Sequence, residues 1–169
     1  ALEARGADVI HLEVGEPDFA TPEPIVEAGR RALAGGRVRY TAAQGTAELR
    51  ARIASDYARA YGLSLDPERV VITAGASAGI LLALAAATDA GDRVLLPDPG
   101  YACNRQFVSA LGALPVLLPV PSEQGFQPTS EQVAAAWNPQ TRALMLASPA
   151  NPTGTLLSPG ELVAIADVV

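Results

Sequence analysis

The sequence predicts an α/β fold of three layers, in which helices cover both faces of a mostly parallel β-sheet. Short apolar segments typical of buried strands alternate with segments of helical period along residues 70–169. Gly and Pro lie between these segments, where turns are expected. Strands that alternate with helices imply right-handed crossover connections, and such connections join parallel strands.

Two helices are predicted before this alternation begins. Thr21 can cap the first helix, Pro22 suits its first position, and Gly35–Gly36 would end it. Its inner apolar stripe would consist of Ile25, Val26, Gly29, Ala32 and Leu33. The second helix follows Thr46 and closes at Gly62. Its apolar face would carry Leu49, Ile53, Tyr57 and Tyr61.

The remaining elements are predicted in regular alternation. The predicted strands are 70–73, 93–96, 115–120 and 143–147. The predicted helices are 77–87, 101–111, 130–137, and a last one that a capping box at Ser158–Glu161 opens. This last helix is apolar and is predicted to run to the final residue, Val169. We therefore expect the natural protein to continue beyond the sequence.

Charge and apolar content argue against several classes of protein. The formal net charge of −6 is unlike that of a general nucleic-acid binder, which needs a clustered basic face. We expect no membrane association, because no apolar run has the length of a bilayer span. No secretory signal is visible at the start, and Cys103 is the only cysteine, which fits a cytoplasmic protein.

Three residue types limit the chemistry. His11 is the only histidine, so we expect no metal site and no Ser–His relay. Cys103 is expected to serve as a small buried apolar residue. All 12 basic residues are Arg, and the chain contains no Lys. No side-chain amine of this chain can therefore form a Schiff base.

Four segments have the character of ligand-binding loops. Thr73–Ser77 joins a predicted strand to a helix through small residues, as in an anion site at a helix N-terminus. Asp98–Tyr101 and Ser148–Gly154 follow predicted strands, where ligands of open α/β sheets bind. Gly15–Phe19 is too broken for a helix or strand. Taken alone, Thr73–Ser77 is better explained as a packing turn, and the two segments after strands can be ordinary loops. Gly15–Phe19 looks placed for contact and not for packing.

The order of these segments closely resembles that of class I/II aminotransferases of pyridoxal-phosphate fold type I. The resemblance covers nearly all 169 residues. The matching segments are Leu12–Phe19, Tyr40–Thr41 with Gly45 and Leu49–Arg50, Thr73–Ser77, Pro99–Tyr101 and Asn151–Gly154. The sequence is thus similar to the N-terminal part of such an enzyme. Its predicted sheet is similar to the first part of the large domain of fold type I.

The resemblance implies a cofactor site for pyridoxal 5′-phosphate. Gly75, Ala76 and Ser77 match the turn that takes the cofactor phosphate. Tyr101 matches the aromatic residue that stacks on the pyridine ring. Asn151 matches the amide that hydrogen-bonds the 3′ oxygen of the ring. The Asp98–Pro99 and Asn151–Pro152 bonds become candidates for cis peptides.

The resemblance also implies an assembly and a division of the chain. Tyr40 matches a tyrosine that reaches the phosphate of the neighbouring subunit in a homodimer, and Gly15 matches a backbone position beside the substrate. Residues 1–45 would form an N-terminal arm and small-domain segment. Residues 46–169 would form the first part of the cofactor-binding large domain. The strand at 70–73 would pair with a strand from a later region that this chain lacks.

The implied activity is transfer of an amino group between an amino acid and a 2-oxo acid. The chain alone is expected to be inactive, because the Schiff-base lysine lies in the later region. A sensor domain of the same fold, or a fold type I lyase or synthase, shares these motifs and stays open. A dinucleotide-binding module, with its turn at 75–79 and Asp98 as the ribose ligand, fails on the glycine spacing.

Overall fold

The computed structural model describes residues 2–10, 15, 17–36 and 38–169. The chain divides into two compact units, Ala1–Ala43 and Gln44–Val169. The predictions for His11 and for the Leu12–Val14 part of the first motif lie outside the described residues, as does Glu16.

The N-terminal unit contains a short 3-10 turn, Glu3–Arg5, and helix α1, Glu23–Ala34. Pro22 takes the N-cap position of α1, which the sequence analysis gave to Thr21, and Gly35 ends the helix as predicted. The predicted inner stripe is wrong for this unit, because α1 buries none of its residues and Leu33 is 69% exposed. Among the described residues of the unit, no second long element offers α1 an apolar face.

The second unit contains helix α2, Ala47–Tyr61, which begins and ends as predicted. The Thr46 hydroxyl caps it by accepting a hydrogen bond from the backbone N–H of Leu49, and Gly62 closes it in the left-handed conformation. The predicted apolar face is wrong, because α2 buries Arg50 and Ala54. Arg50 turns towards the 3-10 turn Pro67–Arg69, where it donates to the Pro67 carbonyl at 3.3 Å and pairs with Glu68 at 3.1 Å.

The remaining elements alternate as the sequence predicts, with shifted ends. The helices are α3, Gly75–Ala87; α4, Ala102–Ala110; α5, Ser130–Ala136; and α6, Pro159–Ala166. The strands are β1, Arg93–Asp98; β2, Leu114–Pro119; and β3, Thr141–Leu144. A 3-10 turn, Ser122–Gln124, precedes α5.

The three strands form one parallel sheet in the order β2-β1-β3. Central β1 pairs with both neighbours, so that Val94 lies opposite Pro115 on one side and Ala143 on the other. The predicted parallel α/β class is confirmed. Because β1 has a partner on each edge, its backbone groups are satisfied without water, and its side chains are free to fill a core on each face.

Alternate residues of β1 enter two separate apolar cores. Val94 and Leu96 pack with Leu84 of α3 and Val108 of α4. On the opposite face Leu95 packs with residues from the other strands and helices, namely Leu118, Val133 of α5 and Ile165 of α6. Since successive side chains of a strand point to opposite faces, helices lie on both sides of the sheet. The predicted three-layer arrangement follows.

The segment Val70–Thr73 begins with an extended residue, Val70, but is not a strand of the sheet, contrary to the sequence prediction. Its Ile72 N–H donates to the Gln44 carbonyl at 3.0 Å, outside any ladder. The physical reason is that the described sheet offers this segment no neighbouring strand. The sequence resemblance implies the same arrangement, because it pairs 70–73 with a later region.

Two further corrections concern α6. The helix ends at Ala166, with Asp167 as its C-cap, and does not continue to Val169. Only half of the predicted capping box is present: Ser158 accepts the N–H of Glu161 at 3.1 Å, whereas the Glu161 carboxylate accepts the N–H of Ser130 at 2.5 Å. Glu161 thereby joins α6 to α5. A complete capping box, not foreseen from the sequence, forms between Thr129 and Gln132.

Leu95 tests how strongly the fold depends on the central strand. Leu95 is fully buried, and we expect Leu95→Ala to lower the free energy of unfolding by about 2–5 kcal/mol through lost burial and a residual cavity. The matched control is Leu117→Ala on β2, whose side chain is 42% exposed, with an expected loss below about 1 kcal/mol. Urea unfolding followed by circular dichroism measures both. Equal losses would contradict the assignment of Leu95 to the core.

Candidate functional site

Three of the ligand-loop segments lie at one edge of the sheet. Strands β1 and β3 are parallel, so the residues after Asp98 and after Leu144 leave from the same edge. Helix α3 runs back along the sheet and reaches β1 through a short connection at 88–92, which places the N-terminus of α3 at this edge too. This is the carboxyl edge, where open α/β sheets bind ligands.

The turn before α3 exposes helix N–H groups without a side-chain cap. The N-cap residue is Ala74, which makes no capping hydrogen bond, and the first turn of α3 contains no acidic residue. Gly75 adopts φ +82°, a conformation that favours glycine. The Thr73 hydroxyl donates to the Gly75 carbonyl at 2.9 Å and fixes the turn. Ala76 and Ser77 are exposed, so the positive end of α3 is open to an anion.

The segment after β1 places an aromatic side chain beside this turn. The Asp98–Pro99 bond is cis, as the resemblance implies. Gly100 approaches the backbone so closely that a Cβ there would lie 2.5 Å from the Pro97 carbonyl oxygen. Tyr101 is the N-cap residue of α4 and is 38% exposed.

The Tyr101 phenol interacts with two neighbouring side chains. Its pKa is raised above the ordinary value, first because of a hydrogen bond with the Cys103 side chain, and the Ser77 hydroxyl acts in the opposite direction. Tyr101 and Ser77 are thus brought together, as the sequence analysis anticipated for a shared site. Cys103 is half-buried, and its contact with Tyr101 was missed. The one available signal was its position two residues after Tyr101.

The loop after β3 is closed by its own backbone. The Ala150 N–H donates to the Thr155 carbonyl at 2.8 Å, and the Gly154 N–H donates to the Ala150 carbonyl at 2.7 Å. The Asn151–Pro152 bond is cis as expected, and Ser148–Pro149 is a further cis bond that was not foreseen. Asn151 is exposed, and its amide makes no hydrogen bond to the part of the chain that the structure describes. That amide is free for a ligand.

A buried amide outside the predicted site holds this loop. Gln127 is 6% exposed, and its Nε2 donates to the carbonyls of Ala147 at 3.1 Å and Thr155 at 2.9 Å. No sequence pattern indicates Gln127, because nothing within a few residues of it points to a partner 20 or more positions away. The strand predicted to reach Ala147 ends at Leu144, and the Ala147 carbonyl bonds the Gln127 side chain instead of a strand.

Two predicted site residues belong to the N-terminal unit. Gly15 and Tyr40 are both exposed within that unit. Their roles remain predictions. Among the described residues, no group of His, Cys, Asp and Glu is arranged to hold a metal ion. No described helix is long and apolar enough to cross a bilayer.

Comparison with known proteins links this arrangement to one family. Residues 7–169 match the family model for aminotransferases of class I and II. The valine–pyruvate aminotransferase of Mycobacterium tuberculosis is 46% identical over 94% of this chain and 41% of its own length. The aspartate/prephenate aminotransferase of Cereibacter sphaeroides is 39% identical over 99% of this chain and 42% of its own length.

Solved structures give the same result. The aspartate aminotransferase from Thermus thermophilus with maleate superposes with a TM-score of 0.92 at 38% identity, covering 99% of this chain and 44% of that one. An aminotransferase from Mycobacterium tuberculosis superposes with a TM-score of 0.85 at 46% identity, covering 91% and 40%. The chain therefore spans about two fifths of the length of the relatives it matches.

The contacts of Tyr101 predict opposite effects of two substitutions. Cys103→Ala removes the main cause of the raised Tyr101 pKa, so we expect that pKa to fall. Ser77→Ala removes the opposing contact, so we expect it to rise. The measurement is an ultraviolet phenolate titration, with the same variants in a Tyr101→Phe background subtracted to remove the other tyrosines. Shifts of equal sign in both variants would contradict the described contacts.

Proposed function

The chain belongs to the class I and II aminotransferase family, and from this premise we propose that it forms the cofactor-binding part of an enzyme that moves an amino group between an amino acid and a 2-oxo acid. The proposed cofactor is pyridoxal 5′-phosphate. One observation carries the proposal: the open N-terminus of α3 lies beside Tyr101, at the same sheet edge as the loop of Asn151. The phosphate of the cofactor would meet the α3 turn, its ring would meet Tyr101, and its ring oxygen would meet the amide of Asn151.

The turn at the start of α3 suits a phosphate group. A dianion is stabilised by unsatisfied N–H groups and by the positive end of the helix dipole. In our proposal the backbone N–H groups of Ala76 and Ser77 and the Ser77 hydroxyl bind the phosphate. Gly75 shapes the turn, and its own N–H donates to the Thr73 carbonyl at 2.8 Å. The absence of an acidic residue from the first turn of α3 supports this, because a carboxylate there would repel the ligand.

The ring would lie between Tyr101 and the free amide of Asn151. An exposed aromatic side chain at the rim of a site can stack on a flat heterocycle. The Asn151 amide can donate to the 3′ oxygen of the ring, and its freedom from other described partners supports that role. When bound, pyridoxal phosphate supplies an electron-accepting ring for the chemistry at the substrate.

This chain supplies no catalytic residue in the proposed enzyme. The Schiff-base lysine must come from outside the sequence, because the chain contains no Lys. The relatives contain additional residues, and we propose that the corresponding residues supply this lysine and also a strand that pairs with Val70–Thr73. Those residues would also cover the groove of about 320 Å³ between β3 and α6, which is lined by Trp137, Arg142, Ala143, Leu144, Leu146, Leu162, Ile165, Ala166 and Val169.

The same proposal includes the finer expectations from the resemblance. Residues 1–45 would form the arm and small-domain segment, and 46–169 the first part of the large domain. The complete enzyme would be a cytoplasmic homodimer in which Tyr40 reaches the partner's phosphate site and Gly15 lies beside the substrate. The exposed position of Tyr40 in its unit supports a role in contacts beyond that unit.

The missing lysine gives a direct test of activity. We expect the purified 169-residue chain, supplied with pyridoxal phosphate, an amino donor and a 2-oxo acid, to show no transamination. The protein expressed from its complete reading frame is the control and is expected to turn over. Valine and aspartate, the donors in the names of two relatives, are suitable donors to compare by chromatography of the products. Turnover by the short chain, or none by the complete protein with a broad set of donors, would contradict the proposal.

A serine substitution tests the phosphate site. We expect Ser77→Ala, in the protein from the complete reading frame, to weaken pyridoxal phosphate binding about tenfold, through loss of one hydrogen bond to a charged group. Ser109→Ala is the matched control, because Ser109 is also exposed but lies at the far end of α4. Titration followed by the absorbance of the bound cofactor gives both affinities. Equal affinities in the two variants would remove Ser77 from the site.

A further inference from the structure

We propose that Gln127 is a positioning residue that holds the Asn151 loop in the shape required to meet its ligand. The inference rests on the proposed function, because it assumes that the Asn151 amide is a ligand contact. Gln127 makes no hydrogen bond to Asn151 and, in this proposal, none to the cofactor. Its effect passes through the two ends of the loop, which its side-chain amide joins.

The contacts of Gln127 close the base of the loop. Its Nε2 donates to the Ala147 carbonyl at 3.1 Å, immediately before the loop, and to the Thr155 carbonyl at 2.9 Å, immediately after it. The Thr155 hydroxyl lies 3.4 Å from the same nitrogen. Only a neutral amide or a cation can donate to two carbonyls at once, and Gln127 is 6% exposed, where a charge would be costly.

Thr155 links the amide to the inside of the loop. Its carbonyl accepts a hydrogen bond from Gln127 and a second one from the Ala150 N–H at 2.8 Å. Ala150 directly precedes Asn151, and its carbonyl accepts from the Gly154 N–H at 2.7 Å. A displacement at Thr155 therefore reaches the residue before Asn151 through a single hydrogen bond. The direction of the Asn151 side chain depends on this connection.

The position of Gln127 is itself well fixed. Its neighbour Phe126 has a positive φ of 56°, and the following Pro128 is fully buried. A residue before proline is restricted to extended conformations, which limits the backbone of Gln127. The restricted backbone fixes the point from which the Gln127 side chain reaches the two carbonyls. A rigid buried donor is suited to fixing a ligand loop, since hydrogen bonds from residues behind a site hold the ligand-binding residues in position.

Gln127→Met tests this role, since methionine keeps the length of the side chain and removes both donors. In the protein from the complete reading frame, we expect backbone amides of residues 148–157 to exchange hydrogen about tenfold faster, as for loss of one buried hydrogen bond. We also expect pyridoxal phosphate to bind about tenfold more weakly. The pH profile of the bound cofactor's absorbance should shift, because the Asn151 contact to the ring oxygen is altered.

Gln132→Met is the matched control. The Gln132 amide also donates to two acceptors, Pro119 at 3.3 Å and Gln124 at 3.2 Å, and its oxygen completes the cap of α5. We expect Gln132→Met to lower the Tm while leaving loop exchange, cofactor affinity and the pH profile unchanged. A general loss of stability is thereby separated from an effect on the Asn151 loop.

The outcomes distinguish the inference from the proposed function. Unchanged loop exchange, affinity and pH profile in folded Gln127→Met would overturn the inference. If Gln127→Met fails to fold, Gln127→Asn keeps the amide but shortens its reach, and unchanged loop exchange there would overturn it equally. If Gln127→Met exchanges faster in the loop but the unsubstituted protein binds no pyridoxal phosphate, the role of Gln127 in holding the loop is supported and the proposed ligand is rejected.

Discussion

The parallel pairing of β1 with a neighbour on each edge is the constraint on which the rest of this structure depends. A strand in that position has no backbone group left for water, so it is stable only between two covered faces. Val94 and Leu96 fill one core and Leu95 the other, which fixes α3 and α4 on one side and α5 and α6 on the opposite side. Parallel direction then brings the carboxyl ends of the strands to one edge.

The candidate site contains two kinds of polar group: some are hydrogen-bonded within the protein, and others are left free. Carbonyls at the base of the Asn151 loop are bonded by Gln127, and the loop interior bonds to itself. The Asn151 amide and the N–H groups of Ala76 and Ser77 have no such protein partner among the described residues. Buried polar groups require partners, whereas groups at an open edge can be kept for a ligand. This distribution is what makes the edge suitable for an anionic aromatic molecule.

Elsewhere in the chain, some apolar faces are not buried and some backbone groups are not paired in a sheet. Val70–Thr73 belongs to no strand of the sheet, and the faces of α1 and α2 that looked internal from their periodicity contain no buried residue. The relatives are more than twice as long as this chain, which covers 41% and 42% of two of them. Periodicity reports the face that a helix presents to its complete surroundings. Because this chain spans about two fifths of the length of its relatives, the surface against which such a face packs can lie in residues that this chain does not contain.

The sequence alone determined what short-range chemistry controls. Thr46 and Gly62 bound α2, the strands alternate with helices, and the ordered motifs gave the family and the residues of the candidate site, from Gly75 to Asn151. The absence of Lys followed from composition. Tertiary structure alone decided the inward turn of Arg50, the contact of Cys103 with Tyr101 and the clamp by Gln127. The Arg50 and Gln127 contacts join residues far apart in sequence, and the Cys103 contact depends on side-chain geometry. The first two contacts form only when the chain folds back on itself, so no local pattern could reveal them, whereas for Cys103 the sequence offered its position two residues after Tyr101.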